Sequence, residues 1–133
     1  MLLLDTSGWI EYLRDTGSPA CAEVARLLRR PQALATTEPV IMELLAGAST
    51  PPALRDLETL TAGLALLSVD ITADYHDAAA IYRAARSAGR PVRRMNDCLI
   101  AAVAARTNAT LVHRDADFDT IADAIPLDIR RLP

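Results

Sequence analysis

The sequence predicts an α/β fold in which helices flank a central parallel sheet. Three observations support this prediction: short apolar segments recur along the chain, helix-like segments separate them, and no repeat, linker or low-complexity stretch interrupts the order. Short apolar strands without polar alternation are typical of parallel sheets that are covered on both faces. The length of 133 residues suits one domain with a substantial core. We therefore expect a single domain over 1–133.

The first strand and helix are predicted at the N-terminus. Residues 2–5 are a short apolar run, and Thr6 and Ser7 can cap a helix that continues to about Asp15. One face of this helix is apolar, and we expect its side chains to pack in the core: Trp9, Ile10 and Leu13.

The next segments continue the alternation of helix and strand. Ser18 and Pro19 suit the cap and first turn of a second helix. A strand is predicted over 33–37, and a helix over 38–46 follows it. Gly47 ends that helix, because glycine is favoured just after a helix C-terminus.

The middle of the chain predicts two helices around one strand. The first helix begins at Pro52, the strand covers 65–70, and the second helix runs from a cap at Thr72 to about Ala88. We expect the second helix to bury Tyr75, Ala79, Tyr82 and Ala85.

The last part of the chain predicts two more helices and two more strands. The helices cover 96–107 and 117–124, and the strands cover 110–113 and 127–130. The first of these helices should bury Leu99, Ile100 and Val103.

The basic residues narrow the possible functions. All 14 of them are arginine, and the chain has no lysine. A nucleotide-binding P-loop and a Schiff-base enzyme both require a lysine, so both are excluded. Receiver domains and haloacid-dehalogenase-type phosphatases need a lysine as well, and the GxGxxG motif of dinucleotide-binding domains is missing.

The sequence gives no sign of export, membrane insertion or a disulfide framework. No window reaches the roughly 18 unbroken apolar residues of a membrane span. Cys21 and Cys98 lie in helix-like segments without the spacing of a metal site. We expect a cytoplasmic protein whose two cysteines are reduced and buried.

Four acids adjoin apolar residues, where a charge is costly unless something binds it. They are Asp5, Glu43, Asp97 and Asp115. Each one could serve a local purpose, as a helix cap, a solvated helix edge or a turn residue. All four nevertheless fall at predicted strand C-termini or in helix N-terminal halves, which meet at one edge of a parallel sheet.

Carboxylates that crowd at one edge require protons or cations between them. Because no set of His or Cys ligands accompanies these acids, their oxygens favour Mg²⁺, with Mn²⁺ as the second choice, over Zn²⁺. A cation bound there can deprotonate a water and stabilise the charge on a phosphodiester under in-line attack. The acids therefore predict metal-dependent hydrolysis.

Three segments resemble, in order, the motifs of PIN-domain ribonucleases, specifically the VapC toxins of bacterial toxin–antitoxin pairs. They are LLLDTSGWIEYL, EPVIMELLAG and NDCLIAAVAARTNATLVHRDADFDTIA. The resemblance spans essentially the whole chain. It implies a PIN-like three-layer fold with a central parallel sheet, and a metal-dependent endoribonuclease.

The resemblance also implies the site residues. Its four acidic positions carry over to the four acids named above, as catalytic residues and metal ligands. Thr6 and Ser7 would support them with hydroxyls near the metal or water.

The closing acidic segment varies among relatives. Asp115 is the expected metal ligand and Asp117 the alternative, whereas Asp119 is expected to be a cap or a surface acid. Many relatives have Thr or Ser at the position of His113, for which we expect a structural role.

An arginine-rich stretch between residues 83 and 106 contains Asp97 as its only acid. Guanidinium groups suit bidentate contact with phosphate. We therefore expect the stretch to bind the RNA backbone through Arg86, Arg90, Arg93 and Arg94. A solvated helix face is the alternative interpretation.

The resemblance implies two protein partners. One is a VapB-type antitoxin, whose C-terminal segment would lie along the active-site groove and present an arginine to the acids. The other is a second copy of the chain, in a homodimer. Apolar residues of the first helix could line the groove, although we expect them in the core. A PIN-like module that binds RNA or a protein without cleavage is the alternative function.

Overall fold

The computed structural model describes residues 1–30 and 33–133. In chain order its elements are β1 (Leu2–Leu4), α1 (Thr6–Leu13), α2 (Pro19–Leu28), β2 (Leu34–Thr36), α3 (Glu38–Ala46), α4 (Pro51–Ala62), β3 (Ala65–Leu66), α5 (Asp74–Ser87), α6 (Met95–Thr107), β4 (Thr110–His113), α7 (Ala116–Ala124) and β5 (Ile129–Arg131). The strands form a parallel sheet in the order β3-β2-β1-β4-β5, and helices flank it. The predicted α/β class with a central parallel sheet is confirmed.

Strand β1 occupies the centre of the sheet. Leu3 pairs with Ala35 of β2 on one side and with Leu111 of β4 on the other. The chain first adds β2 and β3 on one side of β1 and then adds β4 and β5 on the other, so the strand order reverses between β1 and β4. In open parallel sheets, ligand crevices form at this reversal, beyond the carboxyl ends of the strands.

Helix α6 runs through the core of the molecule. All its residues over 97–104 are buried, including the predicted Leu99, Ile100 and Val103. It packs against α5, α7, α3 and β4. Because neighbours hold the helix on several sides, the acid in its first turn has a fixed position.

Helix α1 packs closely against β1. A Cβ atom on Gly8 would lie 2.5 Å from Leu4 Cδ1, so a larger residue at this position would have to displace the Leu4 side chain. Asp5 caps the helix, with its side chain accepting a hydrogen bond from the Ser7 N–H. The prediction that Thr6 or Ser7 caps the helix is wrong. The strand ends at Leu4, and Asp5 has the extended backbone of an N-cap residue.

The apolar face of α1 divides between the core and the surface. Trp9 is fully buried, as predicted, but Ile10 and Leu13 are 37% and 45% exposed. The core position predicted for these two side chains is wrong. They line an open groove that α1 forms with α3 and α4.

Helix α5 buries a face that only partly matches the predicted one: Ala85 is buried as predicted, and Ala79 and Tyr82 are half-buried. Its buried residues are Asp74, Ala78, Ile81 and Ala85. Tyr75, which was predicted to point inward, is 55% exposed. The face is rotated because Asp74 is buried in an ion pair with Arg106 of α6. The helix also begins after Ala73, since the Thr72 hydroxyl bonds to the Asp70 carboxylate instead of capping it.

Strand β3 is shorter than the predicted strand over 65–70 and consists of Ala65–Leu66. Glu38, at the start of α3, accepts hydrogen bonds from the Ser68 hydroxyl and from the Val69 N–H. These bonds draw the chain away from the sheet after two paired residues. The other elements lie close to their predicted positions.

Both cysteines, Cys21 and Cys98, are buried and free, as the sequence predicted. Among the described residues, no helix is both long enough and apolar enough to cross a membrane.

Candidate metal centre

The structure brings the four predicted acids to one edge of the sheet. Asp5 follows β1, Asp115 follows β4, Asp97 lies in the first turn of α6, and Glu43 lies on α3. Parallel pairing places the ends of β1 and β4 side by side, and the Asp5 N–H donates to the Val112 carbonyl at 2.9 Å. The site therefore forms where the strand order reverses.

Three carboxylates of this cluster lie close enough to share one ion. One oxygen atom from each of Asp97, Asp115 and Asp117 lies within 4.8 Å of the others. Asp117, the alternative ligand in the sequence analysis, is thus beside Asp115. Asp119 instead forms an ion pair with Arg131.

Asp5 has one satisfied and one unsatisfied carboxylate oxygen. Oδ2 accepts hydrogen bonds from the Ser7 N–H at 2.9 Å and from the Ser7 hydroxyl at 2.6 Å. Oδ1 is buried without a hydrogen-bond partner among the described residues, and so is the Thr6 hydroxyl. Burial raises the pKa of Asp5, the Ser7 hydrogen bonds oppose this shift, and the Asp115 charge adds to it.

Asp97 has a strongly raised pKa. Its side chain is 2% exposed, and burial raises its pKa from 3.8 to about 7. Arg94 opposes this shift, while the charges of Asp5, Asp115 and Glu43 increase it. Asp97 Oδ2 lies 3.5 Å from Arg94 Nε, yet it has no hydrogen bond within the described part of the chain.

Glu43 is held by a residue that the sequence analysis missed. The Asn96 side-chain amide donates a hydrogen bond to Glu43 Oε1. Burial raises the pKa of Glu43, the Asn96 bond opposes the shift, and the Asp5 charge adds to it. The available signal was a polar residue directly before Asp97 at the start of an otherwise apolar helix.

His113 lies beneath Asp115. Its ring is fully buried against Phe118, with ring centroids 5.3 Å apart. Burial lowers the pKa of His113, and Nδ1 of the neutral ring accepts a hydrogen bond from the Asp115 N–H at 3.1 Å. This hydrogen bond holds the backbone at Asp115 in place.

The arginine-rich stretch adjoins the acids. Arg93 contacts both Asp115 and Asp117, and Arg94 contacts Asp115 and Asp97. The other two predicted RNA-binding arginines lie elsewhere: Arg90 pairs with Asp123, and Arg86 lies over the ring of Tyr82.

The donor atoms fit a hard divalent cation. The cluster offers carboxylate oxygens, which are the ligands that Mg²⁺ and Mn²⁺ prefer. Two of these oxygens, Asp5 Oδ1 and Asp97 Oδ2, are buried without hydrogen bonds in the described structure. Because a buried unpaired carboxylate oxygen is costly, a bound cation would satisfy what the protein leaves open.

A groove of about 600 Å³ begins at the acid cluster. Thr6 and Glu43 line it at the cluster, and its apolar side chains come from three helices. They include Ile10, Leu13, Leu44, Leu57 and Leu60. The groove can therefore take an apolar segment whose end reaches the carboxylates.

Comparisons with known proteins agree with this architecture. The PIN-domain family profile matches residues 2–124. Ribonuclease VapC11 of Mycobacterium tuberculosis is 55% identical over 123 residues, which are 92% of each chain. The solved structure of VapBC2 from Rickettsia felis superposes with a TM-score of 0.76 at 18% identity, covering 99% of this chain and 98% of that one. VapBC-5 from M. tuberculosis has a TM-score of 0.53 at 30% identity, with 74% and 82% covered. The chain belongs to the PIN-domain family and, within it, to the VapC ribonucleases.

Proposed function

We propose that this protein is a metal-dependent endoribonuclease that acts as the toxin of a type II toxin–antitoxin pair. One observation carries the proposal: two buried carboxylate oxygens at the same sheet edge, Asp5 Oδ1 and Asp97 Oδ2, have no hydrogen-bond partner in the described residues. The relative VapC11 is a ribonuclease by name, and its 55% identity supports the same activity here.

Asp5, Asp97 and Asp115 would hold Mg²⁺ or Mn²⁺, with Glu43 and Asp117 next to them. When bound, the cation lowers the pKa of a water molecule and stabilises the charge on the phosphate. The hydroxyls of Thr6 and Ser7 would support the metal ligands and the water.

The protein's own side chains orient the reacting groups. Ser7 holds one oxygen of Asp5, so its other oxygen has a fixed direction. Asn96 holds Glu43 Oε1 and leaves Oε2 as the atom that accepts a proton from the attacking water. Because its pKa is raised, the Glu43 carboxylate is a stronger base for this proton transfer.

The RNA backbone would bind to the arginines that precede α6. We propose Arg93 and Arg94, which contact the acids, as the main residues for this role, with Arg86 and Arg90 as more distant contacts for a longer RNA. Contacts to phosphate are independent of base sequence, so these residues would supply affinity more than sequence selectivity.

The groove would take the C-terminal segment of a VapB-type antitoxin. VapBC-5 of M. tuberculosis is described as a member of a toxin–antitoxin family, which supports such a partner here. Leu13 and Leu57 line the apolar part of the groove. Replacement of Leu57 by Glu should weaken co-purification with a co-expressed VapB-type antitoxin, and Leu54→Glu is the control outside the groove. Unchanged recovery with Leu57→Glu would argue against this binding site.

A homodimer in the cytoplasm remains a prediction, and light scattering on the purified chain would test the dimer.

Cleavage of a labelled total-RNA pool tests the proposed activity. The wild-type chain should give discrete fragments with Mg²⁺ or Mn²⁺ and none with EDTA, and Asp97→Ala should give none under any condition. Asp77→Ala is a matched control, because Asp77 is an exposed acid in the first turn of the neighbouring helix α5. If folded wild-type protein free of antitoxin cleaves nothing, the non-cleaving binding module is the better description.

A further inference from the structure

Two arginines already lie on the oxygens that would bind the metal. Arg93 Nη2 donates to Asp115 Oδ1 at 2.9 Å, and Arg93 Nε donates to Asp117 Oδ2 at 2.9 Å. Arg94 Nη2 lies 3.3 Å from Asp115 Oδ2, and Arg94 Nε lies 3.5 Å from Asp97 Oδ2. The three carboxylates that come within 4.8 Å of one another are therefore each contacted by a guanidinium.

Arg94 interacts with the acids as a group. The Asp97 carboxylate is the largest cause of the raised pKa of Arg94. Three more acids contribute to it: Glu43, Asp115 and Asp5. The Arg94 guanidinium therefore offsets the negative charge of acids from four separate chain segments. In the proposed enzyme, the metal ion has this role.

The two guanidinium groups are free to leave the cluster. The side chains of Arg93 and Arg94 are 68% and 54% exposed, whereas those of Asp97, Asp115 and Asp117 are 2%, 10% and 16% exposed. The arginines precede the first turn of α6, outside any helix. Exposed ion pairs of this kind are weak, because water screens them and the long side chains lose conformational freedom.

We propose that Arg93 and Arg94 are resident counter-cations that hold the ligand carboxylates in the metal-free protein, release them when a divalent cation binds, and then contact the RNA phosphates. The inference rests on the proposed function, because it assigns the metal and the RNA to this site. It deepens that function by coupling the two binding events through two named side chains.

The coupling has a direction that can be measured. Metal binding is weakened because the guanidinium groups must first leave the carboxylates. Once they have left, they are available to bind phosphate. Metal binding therefore strengthens RNA binding, and by thermodynamic linkage RNA strengthens metal binding by the same factor.

Calorimetric titration of Mn²⁺ into the RNA-free protein tests the first half of the inference. The double variant Arg93→Gln with Arg94→Gln should bind Mn²⁺ about fivefold more tightly than wild type, the effect of removing exposed ion pairs that the cation must break. Arg114→Gln is the matched control, since it removes one positive charge beside Asp115 while its guanidinium pairs with Glu11. Unchanged or weaker binding by the double variant overturns the inference, and so does equal tightening by the control.

NMR of the arginine side chains tests the displacement itself. The Nε–H signal of Arg93, identified by its loss in Arg93→Gln, should be protected from solvent exchange in EDTA because it donates to Asp117. Mg²⁺ should abolish that protection and leave the signal of Arg106, which pairs with Asp74, unchanged. A protected Arg93 signal at saturating Mg²⁺ overturns the inference.

The proposed nuclease activity and the proposed counter-cations can be disproved separately. If the double variant binds Mn²⁺ more tightly but neither it nor wild type cleaves RNA, the counter-cations stand and the proposed nuclease fails. If wild type cleaves RNA with metal but the variants bind Mn²⁺ no more tightly, the nuclease stands and the inference is wrong.

Discussion

The hydroxyl oxygen of Ser7 accepts a 2.9 Å hydrogen bond from the backbone N–H of Arg114. The same hydroxyl donates to Asp5 Oδ2. One side chain therefore connects the turn after β1, which carries Asp5, to the turn after β4, which carries Asp115. The spacing of the two acids depends on this connection as well as on strand pairing.

Replacement of Ser7 by Ala should loosen this connection. The variant loses two hydrogen bonds of the hydroxyl, so we expect Mn²⁺ affinity to fall about tenfold and stability to fall by about 1–2 kcal/mol. Calorimetry and urea denaturation measure the two effects. Ser87→Ala, at the exposed end of α5, is the control. Wild-type Mn²⁺ affinity in Ser7→Ala would mean that the strands alone position Asp5.

The buried charge of Asp97 predicts how stability depends on pH without metal. The pKa is about 7 in the folded protein and 3.8 ordinarily, so the folded state holds the proton that the unfolded state loses. The contribution of Asp97 to stability is therefore greatest below pH 3.8 and is lost as the pH rises to about 7, by about 4 kcal/mol in total at 1.4 kcal/mol per pKa unit.

Urea denaturation in EDTA across this pH range compares wild type with Asp97→Asn. The variant cannot ionise at this position, so its stability relative to wild type should increase as the pH rises. The comparison removes the contributions of distant titrating groups, which both proteins share, and leaves Asp97 with the acids and the arginine coupled to it. Parallel curves for the two proteins would show that the pKa of Asp97 is the same in the folded and unfolded states.

The sequence allowed the site to be predicted wherever a backbone rule determines position. Asp5 and Asp115 follow apolar strands, and Asp97 opens an apolar helix, so parallel pairing alone places them at one edge. The contacts of Arg93 and Asn96 could not be predicted in this way. Their side chains reach partners on other elements, and no local periodicity encodes which partner a long polar side chain will meet.

The same limit explains the errors in the fold. The sequence pattern of α5 favoured Tyr75 as an inward residue, because aromatic residues are usually buried and charged ones are not. Asp74 is buried instead, since Arg106 of α6 supplies its counter-charge. This ion pair joins residues 32 positions apart. It allows a charged residue to be buried, contrary to the rule on which the prediction relied.

Removal of Arg106 should therefore destabilise the protein strongly. The guanidinium donates to both oxygens of Asp74 and to the Ser68 carbonyl. Arg106→Leu leaves a fully buried carboxylate without its partner, which typically costs about 3–5 kcal/mol. Urea denaturation measures the loss, with Arg83→Leu on the exposed side of α5 as the control. A loss below 1 kcal/mol would indicate that water replaces the guanidinium at Asp74.

His113 offers a test of how the backbone aims a metal ligand. Its Nδ1 accepts the Asp115 N–H, and the buried ring leaves no room for water to replace that acceptor. His113→Phe keeps the ring and its packing against Phe118 but removes the acceptor, so the unpaired N–H should turn the backbone at Asp115. We expect Mn²⁺ affinity to fall about tenfold, as for other groups that orient metal ligands.

His113→Thr provides the rescue for this experiment. Its hydroxyl can accept the same N–H, so Mn²⁺ affinity should recover toward wild type although the smaller side chain leaves a cavity and lowers stability by about 2–4 kcal/mol. If His113→Thr restores Mn²⁺ affinity but lowers stability, His113 orients the backbone of the metal ligand in addition to packing in the core. If affinity follows stability in both variants, His113 contributes only to the core and Asp115 is positioned by its helix cap.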